Sequence, residues 1–190
     1  MPDNGVVPRV LGGRAAVLAS GLITGILGVV IAVWPDKTVA VTELLAGSYL
    51  LVSGLLQLWI AVAARFAVPL RLLVLVGGVV SLLLAALAAR GGNSILLVAL
   101  WLGIGWAVRG VIHATVAVWD DRLPGAGRHE LLGLFTMLLG IALLAIPFDS
   151  VEALTLAAGG AMIVLGILEL LSAGIAAPAG RPSLSPGAVH

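Results

Sequence analysis

Cysteine is absent, which excludes disulfides, thiolate metal sites and cysteine nucleophiles and leaves the redox compartment open. Charge is scarce too: 10 Lys and Arg against 9 Asp and Glu in 190 residues, a formal net charge of +1, with the cations scattered along the chain. A nucleic-acid surface needs a concentrated basic face, so nucleic acid is not an expected partner. There is no His-Glu-x-x-His helix, nucleophile elbow or phosphate loop. The stretch Gly103-Ile-Gly105-Trp106-Ala-Val-Arg109-Gly110 has a glycine spacing like that of a nucleotide loop, but it lies inside an apolar run with no strand before it. The three histidines, His113, His129 and His190, have no ligand spacing, and no nucleophile and base are spaced to cooperate. The expectation is a non-enzyme without cofactor or metal.

What fills the chain instead is apolar: 61% hydrophobic residues, 10% charged, and a mean hydropathy of +1.21. A water-facing surface cannot be assembled from this composition, so the solvent is lipid. The bilayer is the expected environment. Apolar runs at about 15–34, 38–64, 67–89, 94–119, 131–147 and 151–177 are each near membrane thickness, predicting six transmembrane helices in an all-α polytopic fold. The first run lacks a small-x-small cleavage site and reads as a retained span. Tight Pro- or Gly-containing turns at Pro35-Asp36-Lys37, Arg90–Asn93 and Phe148-Asp149-Ser150 predict antiparallel hairpins of spans 1–2, 3–4 and 5–6. Arg9, Arg14, Arg65, Arg71, Arg122, Arg128 and Arg181 fall on the side of both termini, and only Lys37 and Arg90 lie opposite. That bias puts both termini in the cytoplasm of a multi-pass inner (plasma) membrane protein. Residues 1–13 and 178–190, rich in Pro, Gly and polar side chains, are expected to be disordered cytoplasmic ends.

The chain is also periodic. Shifting it by 56 residues superposes 14–66, 70–122 and 126–177 without a gap and aligns three glycine columns: Gly21/Gly77/Gly133, Gly47/Gly103/Gly159 and Gly54/Gly110/Gly166. With 25 glycines in 190 positions, composition alone produces on the order of 0.1 such columns. The columns Thr38/Ser94/Ser150 and Ala61/Ala117/Ala173 agree as well. Each unit crosses the membrane twice, so all three copies enter from the same side, as parallel repeats about the membrane normal. A pseudo-threefold bundle is the simplest arrangement, with a linear row of hairpins as the alternative. In the second helix of each unit, small residues recur every seven positions on one face, a smooth stripe where another backbone can approach closely. The Gly21-x-x-x-Gly25-x-x-Gly28 series in the first span has the same reading, as packing within the chain or between copies. A homo-oligomer or another membrane protein is therefore a candidate partner.

Glycine ahead of a turn proline, followed by small-x6-Gly-[Ile/Leu/Val]-x-polar in the next helix, resembles the HdeD family of bacterial acid-resistance membrane proteins. The resemblance rests on Gly28 through Pro35 with Gly47 and Gly54-Leu-Leu-Gln57, and on Gly140 through Pro147 with Gly159 and Gly166-Ile-Leu-Glu169. The middle unit departs from it, with Gly91 where the others have proline. The resemblance implies a small inner-membrane protein linked to acid stress, and it carries no catalytic residues.

Ionisable groups inside a span cost roughly 2.5–3.5 kcal/mol at mid-helix and therefore raise a functional hypothesis. One repeat column reads Gln57, His113, Glu169, at a common depth near the cytoplasmic side, and Arg109 stands one turn from His113. The expectation is a single buried cluster of these four, acting either as a static polar lock or as a group that changes protonation in mildly acidic conditions. A second candidate is an outer acidic set, Asp36, Glu43, Asp149 and Glu152, with Glu43 on the face of Gly47 and Gly54 at the outer mouth. The functional expectation is a stress or acid-resistance protein without enzymatic activity. The alternative is a small proton or solute channel or transporter, for which the even-numbered helices would enclose a continuous wet path.

Overall fold

Helices are the one open-ended element that satisfies every backbone polar group without water, and the apolar runs are built into six of them. The computed structural model describes residues 7–63, 67–119 and 126–175. The elements are α1 (Val7–Val33), α2 (Val39–Ala63), α3 (Val68–Arg90), α4 (Ile95–Trp119), α5 (Ala126–Ala145) and α6 (Val151–Ile175), with no strand among the described residues. Five of them are long and apolar enough to cross a membrane. The fold is thus an all-helical, polytopic membrane architecture.

The repeat is visible in the helix ends. The helices α2, α4 and α6 each run 25 residues and begin at positions 39, 95 and 151, the spacing of the glycine columns. The residue before each start belongs to the Thr38/Ser94/Ser150 column, and its hydroxyl caps α2 and α6. Thr38 Oγ1 accepts from the Val41 N–H at 3.2 Å and Ser150 Oγ from the Ala153 N–H at 3.1 Å, each satisfying an otherwise orphaned first-turn donor.

Two helices begin earlier than expected. α1 starts at Val7, so residues 7–13 are helical where the sequence predicts a disordered end; Pro8, in the first turn, has no intrahelical N–H bond to lose. α5 starts at Ala126, five residues ahead of the apolar run, because Arg128, His129 and Glu130 form a polar first turn that hydropathy does not register. Residues 1–6 and 178–190 lie outside the described residues, as do Arg65, Arg122 and Arg181.

The helices joined by tight turns are antiparallel neighbours, as expected, but the most intimate pairs are α2 with α3, α4 with α5, and α6 with α1, the second helix of each unit seated on the first helix of the next and the last on the first. The glycines are the reason. A methyl group on Gly166 would stand 2.7 Å from the Gly21 carbonyl oxygen, and one on Gly159 would stand 2.7 Å from that of Gly28. Likewise Gly103 meets Gly140, Gly110 meets Gly133, and Gly54 meets Gly78. These pairs run antiparallel, so the odd helices share one direction and the even helices the other. The Gly21 series is therefore packing within the chain, against α6. In the middle unit the match is displaced by one residue: Gly54 opposes Gly78, while Gly77 faces Ile112 and Gln57.

The result is a closed ring of six with α2, α4 and α6 touching one another inside it and no contact between odd helices among the described residues. Matched positions fill the axis in layers: Leu50, Trp106 and Met162 in one, Ala46, Leu102 and Ala158 in the next, all fully or nearly fully buried. Outward, all six helices present large apolar side chains, among them Ile26, Leu55, Leu83, Val111, Leu138 and Ile167, a surface suited to lipid hydrocarbon.

Candidate functional site

Below the Leu50/Trp106/Met162 layer, towards the end of the bundle where α1 begins and α6 finishes, the axis turns polar. Arg109 occupies the column of Ser53 and Leu165 and is buried, as is Glu169 one turn further on α6. Arg109 Nη2 donates to Glu169 Oε1 at 2.6 Å and to Ser20 Oγ at 2.8 Å; Nη1 donates to the Tyr49 hydroxyl at 3.0 Å. One planar guanidinium thus joins α1, α2, α4 and α6, the use for which its fixed fork of donors suits arginine better than lysine. Tyr49 is itself placed by the edge of Trp106, ring centroids 6.4 Å apart at 90°.

The expected four-membered cluster divides. Gln57 turns away from Arg109, its amide donating to Ser53 one turn back on α2 and to Ser81 on α3, both at 3.3 Å. Those hydroxyls are the acceptors within reach of α2 on its α3 side, so the shared depth of Gln57 and Glu169 does not make them partners. His113 has no hydrogen bond among the described residues. What the column does share is a wall. Gln57, His113 and Glu169 line one cavity of about 190 Å³ to which all six helices contribute, with His129 and Thr136 from α5, Ser20 from α1 and Val74 from α3. The remaining lining is largely aliphatic, including Ile60, Ile112 and Val116. Among buried side-chain atoms, Gln57 Oε1, Glu169 Oε2 and Trp106 Nε1 have no hydrogen-bond partner.

Four participants escaped the sequence reading: Tyr49, Ser20, Ser53 and Ser81. The chain's one tyrosine, set inside a span, was a usable signal. The serines were not, because hydroxyls are common in spans and bond back to their own helix, as Thr136 does to Leu132.

The outer acidic set does not assemble. Asp36, Asp149 and Glu152 are exposed, and no group of three or more His, Asp or Glu among the described residues could hold a metal ion. Glu43 is instead buried against the neighbouring unit, its Oε1 accepting from the Gly92 N–H at 2.9 Å in the α3–α4 turn. That turn takes Gly91 at φ +70°, a value proline cannot adopt, which is why the middle unit lacks the proline of the other two. Glu43→Ala should therefore cost about 1.5–3 kcal/mol, the range for a hydrogen bond to a charged group, and raise hydrogen exchange at the Gly92 amide. Glu43→Gln should retain most of that stability; equal melting temperatures for wild type and Glu43→Ala would show that the contact holds nothing.

The family described as "Short repeat of unknown function (DUF308)" matches residues 19–90 and 131–184, well over half of the chain. The protein belongs to the DUF308 family. No curated protein and no solved structure matches it. The two DUF308 stretches run from within α1 to the end of α3 and from within α5 through α6, and leave out α4, the helix that carries Arg109 and His113. Within this DUF308 protein the polar centre is thus built from Ser20, Tyr49, Gln57 and Glu169 in matched segments and two ionisable residues from the segment between them.

Proposed function

We propose that this DUF308 protein is a non-enzymatic, HdeD-like component of the cell inner (plasma) membrane, acting in stress or acid resistance through a protonation-dependent change in its helix bundle. The observation that carries this reading is the Arg109–Glu169 pair. It is the charged tie across the ring's interior, and acid acts on its carboxylate: a protonated Glu169 leaves Arg109 buried without a counter-charge. Among the described residues, Tyr49 on α2 and Ser20 on α1 bond the arginine, and Gln57 on α2, His113 on α4, His129 on α5 and Ser172 on α6 line the same cavity as Glu169. The dry layers of Leu50/Trp106/Met162 and Ala46/Leu102/Ala158 favour a packed switch over a channel, since they interrupt any wet path on the axis. The arginine bias across the turns supports cytoplasmic termini, and the lipid-facing glycine-packed ring leaves its outer helices free for a second copy or a membrane partner.

The test is a titration of the purified chain in detergent between about pH 4 and 8, following His113 and Glu169 by NMR together with amide exchange across α1 and α6. Loosening of those helices as the pH falls through that range is the expected result. A bundle and side chains unchanged over that range would refute the switch. Cysteine labelling, clean in a chain without native cysteine, reads the orientation: a cysteine at Lys37 should react from outside the cell.

A further inference from the structure

One ionisable side chain is left over once the polar centre is assembled. His113 stands on the cavity wall and makes no hydrogen bond among the described residues. Its ring nitrogens are not sealed either, since the buried side-chain atoms without a partner belong to Gln57, Glu169 and Trp106. We infer that the cavity binds a small monocarboxylic acid with an apolar body, about the size of benzoic acid, and that the acid and His113 share one proton as a carboxylate–imidazolium pair.

Space fixes the body of the ligand. The volume is about 190 Å³, and an apolar cavity of about 150 Å³ already accepts benzene. Walls such as Ile60, Val74, Ile112 and Val116 are aliphatic. The Leu50/Trp106/Met162 layer closes one side. His113, Val116, His129 and Ser172 are only half-buried, so the cavity opens towards the end of the bundle where α1 begins.

Charge fixes the head. A neutral imidazole offers one N–H donor and one basic nitrogen. A cation would face Arg109 one turn away on α4 and His129 on α5, while the carboxylate of the wall, Glu169 on α6, is already held by the arginine. A bare anion would leave a net charge in a low-dielectric pocket. A carboxylic acid avoids both. Its O–H proton passes to the free imidazole nitrogen, the carboxylate accepts the N–H so formed, and a charge-assisted bond replaces a neutral one with no change in net charge. The remaining helices add no ionisable group to the wall: α1 contributes Val17 and Ser20, α2 Gln57 and Ile60, and α3 Val74. At the same end Arg71 and Arg128 are exposed, against Glu130 among the described residues, a rim that attracts carboxylates.

Fluorine NMR of the full chain in detergent with 4-fluorobenzoate, between about pH 6 and 8, tests this. The free ligand is then a carboxylate, so binding takes up one proton from solution. A saturable signal at one ligand per chain should weaken about fivefold or more across that range as pH rises. Nitrogen NMR of the histidine rings at neutral pH should show His113 turning to imidazolium when ligand is added. 4-Fluorobenzamide, matched in body but without the acid proton, should bind about tenfold more weakly and with little dependence on pH. His113→Gln and His113→Asn keep a hydrogen-bonding group but cannot hold the proton; whichever gives a monodisperse bundle should bind the benzoate no better than the benzamide. Val116→Phe and Ser172→Leu fill the cavity from two helices, and whichever folds should abolish binding of both probes. A signal that does not saturate, or that survives filling, is micelle partitioning and overturns the proposal. So do tighter binding of 4-fluorobenzylamine, a benzoate affinity independent of pH, or a pH dependence that His129→Gln removes and His113→Gln leaves intact. Binding is read on the ligand and helix loosening without it, so the site and the Arg109–Glu169 switch can fail separately.

Discussion

Gly110→Ala is expected to unseat α5 from α4 and to be among the most damaging single-methyl changes in the molecule. A methyl group there would collide with the Met137 backbone nitrogen and stand 2.5 Å from the Gly133 carbonyl oxygen and 2.7 Å from Met137 Cα. These are main-chain atoms of a facing helix, so no side chain can rotate away and the two helices must part. Overpacking of this kind costs about 1–3 kcal/mol in soluble cores, and here the loss also includes the close contacts of the neighbouring Gly103–Gly140 crossing. Gly133→Ala, the other half of the same contact, should behave alike, and the two together should cost less than their sum because they break one interface. Gly160→Ala is the control. Nothing lies within 4 Å of a methyl group at that position, so alanine there should be neutral or slightly stabilising. Melting temperatures in detergent order these variants; a Gly160→Ala loss as large as that of Gly110→Ala would refute packing as the role of the glycine columns.

The sequence disclosed the parts of this fold that lipid dictates. Membrane thickness fixes the length of the apolar runs, and copying fixes the column positions, so six helices and their common period were legible, including the Thr38/Ser94/Ser150 column at the starts of the even helices. Which helix faces a glycine stripe was not. A smooth face records that a backbone approaches closely, and nothing in Gly47 or Gly54 says whether that backbone belongs to its own unit or the next. The answer, the next unit, comes from ring closure, which is a property of the whole chain. Glu43 shows the same limit. Its spacing puts it on the face of Gly47, which was read as the outer mouth of the bundle, but the group it meets is the Gly92 amide of another unit, in a turn whose conformation depends on Gly91.

The polar centre was half legible for a related reason. Matching columns gives depth along the membrane normal, and Gln57, His113 and Glu169 do share the wall of one cavity. Partnership depends on reach and direction, which columns do not encode. Arg109 extends to Tyr49 and Glu169, which lie 60 residues before and after it, one helical turn beyond the repeat. Gln57, being shorter, bonds the serines beside it.

That geometry sets the second large expectation, a double-substitution cycle at the ion pair. Glu169→Leu alone strands the Arg109 cation among Tyr49, Ser20 and apolar neighbours, and breaking a buried pair in this way costs about 3–5 kcal/mol. Arg109→Leu alone strands the carboxylate, with a similar loss, and also leaves the Tyr49 hydroxyl and Ser20 without their donor. The double variant, with leucine at both positions, strands no charge. The Arg109 column already carries Leu165 in the third unit, so leucine is a side chain this layer accommodates. Its stability should return to within about 1–2 kcal/mol of wild type, since apolar replacements of buried pairs are often neutral. The cycle also separates the two roles offered for the pair. If it serves only to hold the bundle, the double variant should fold and keep the pH response of wild type. If Glu169 is the group through which acid acts, the double variant should fold as well but lose the loosening of α1 and α6 between about pH 8 and 4. A double variant whose loss equals the sum of the two single losses would mean that Arg109 and Glu169 are not energetically coupled, and both roles would fall together.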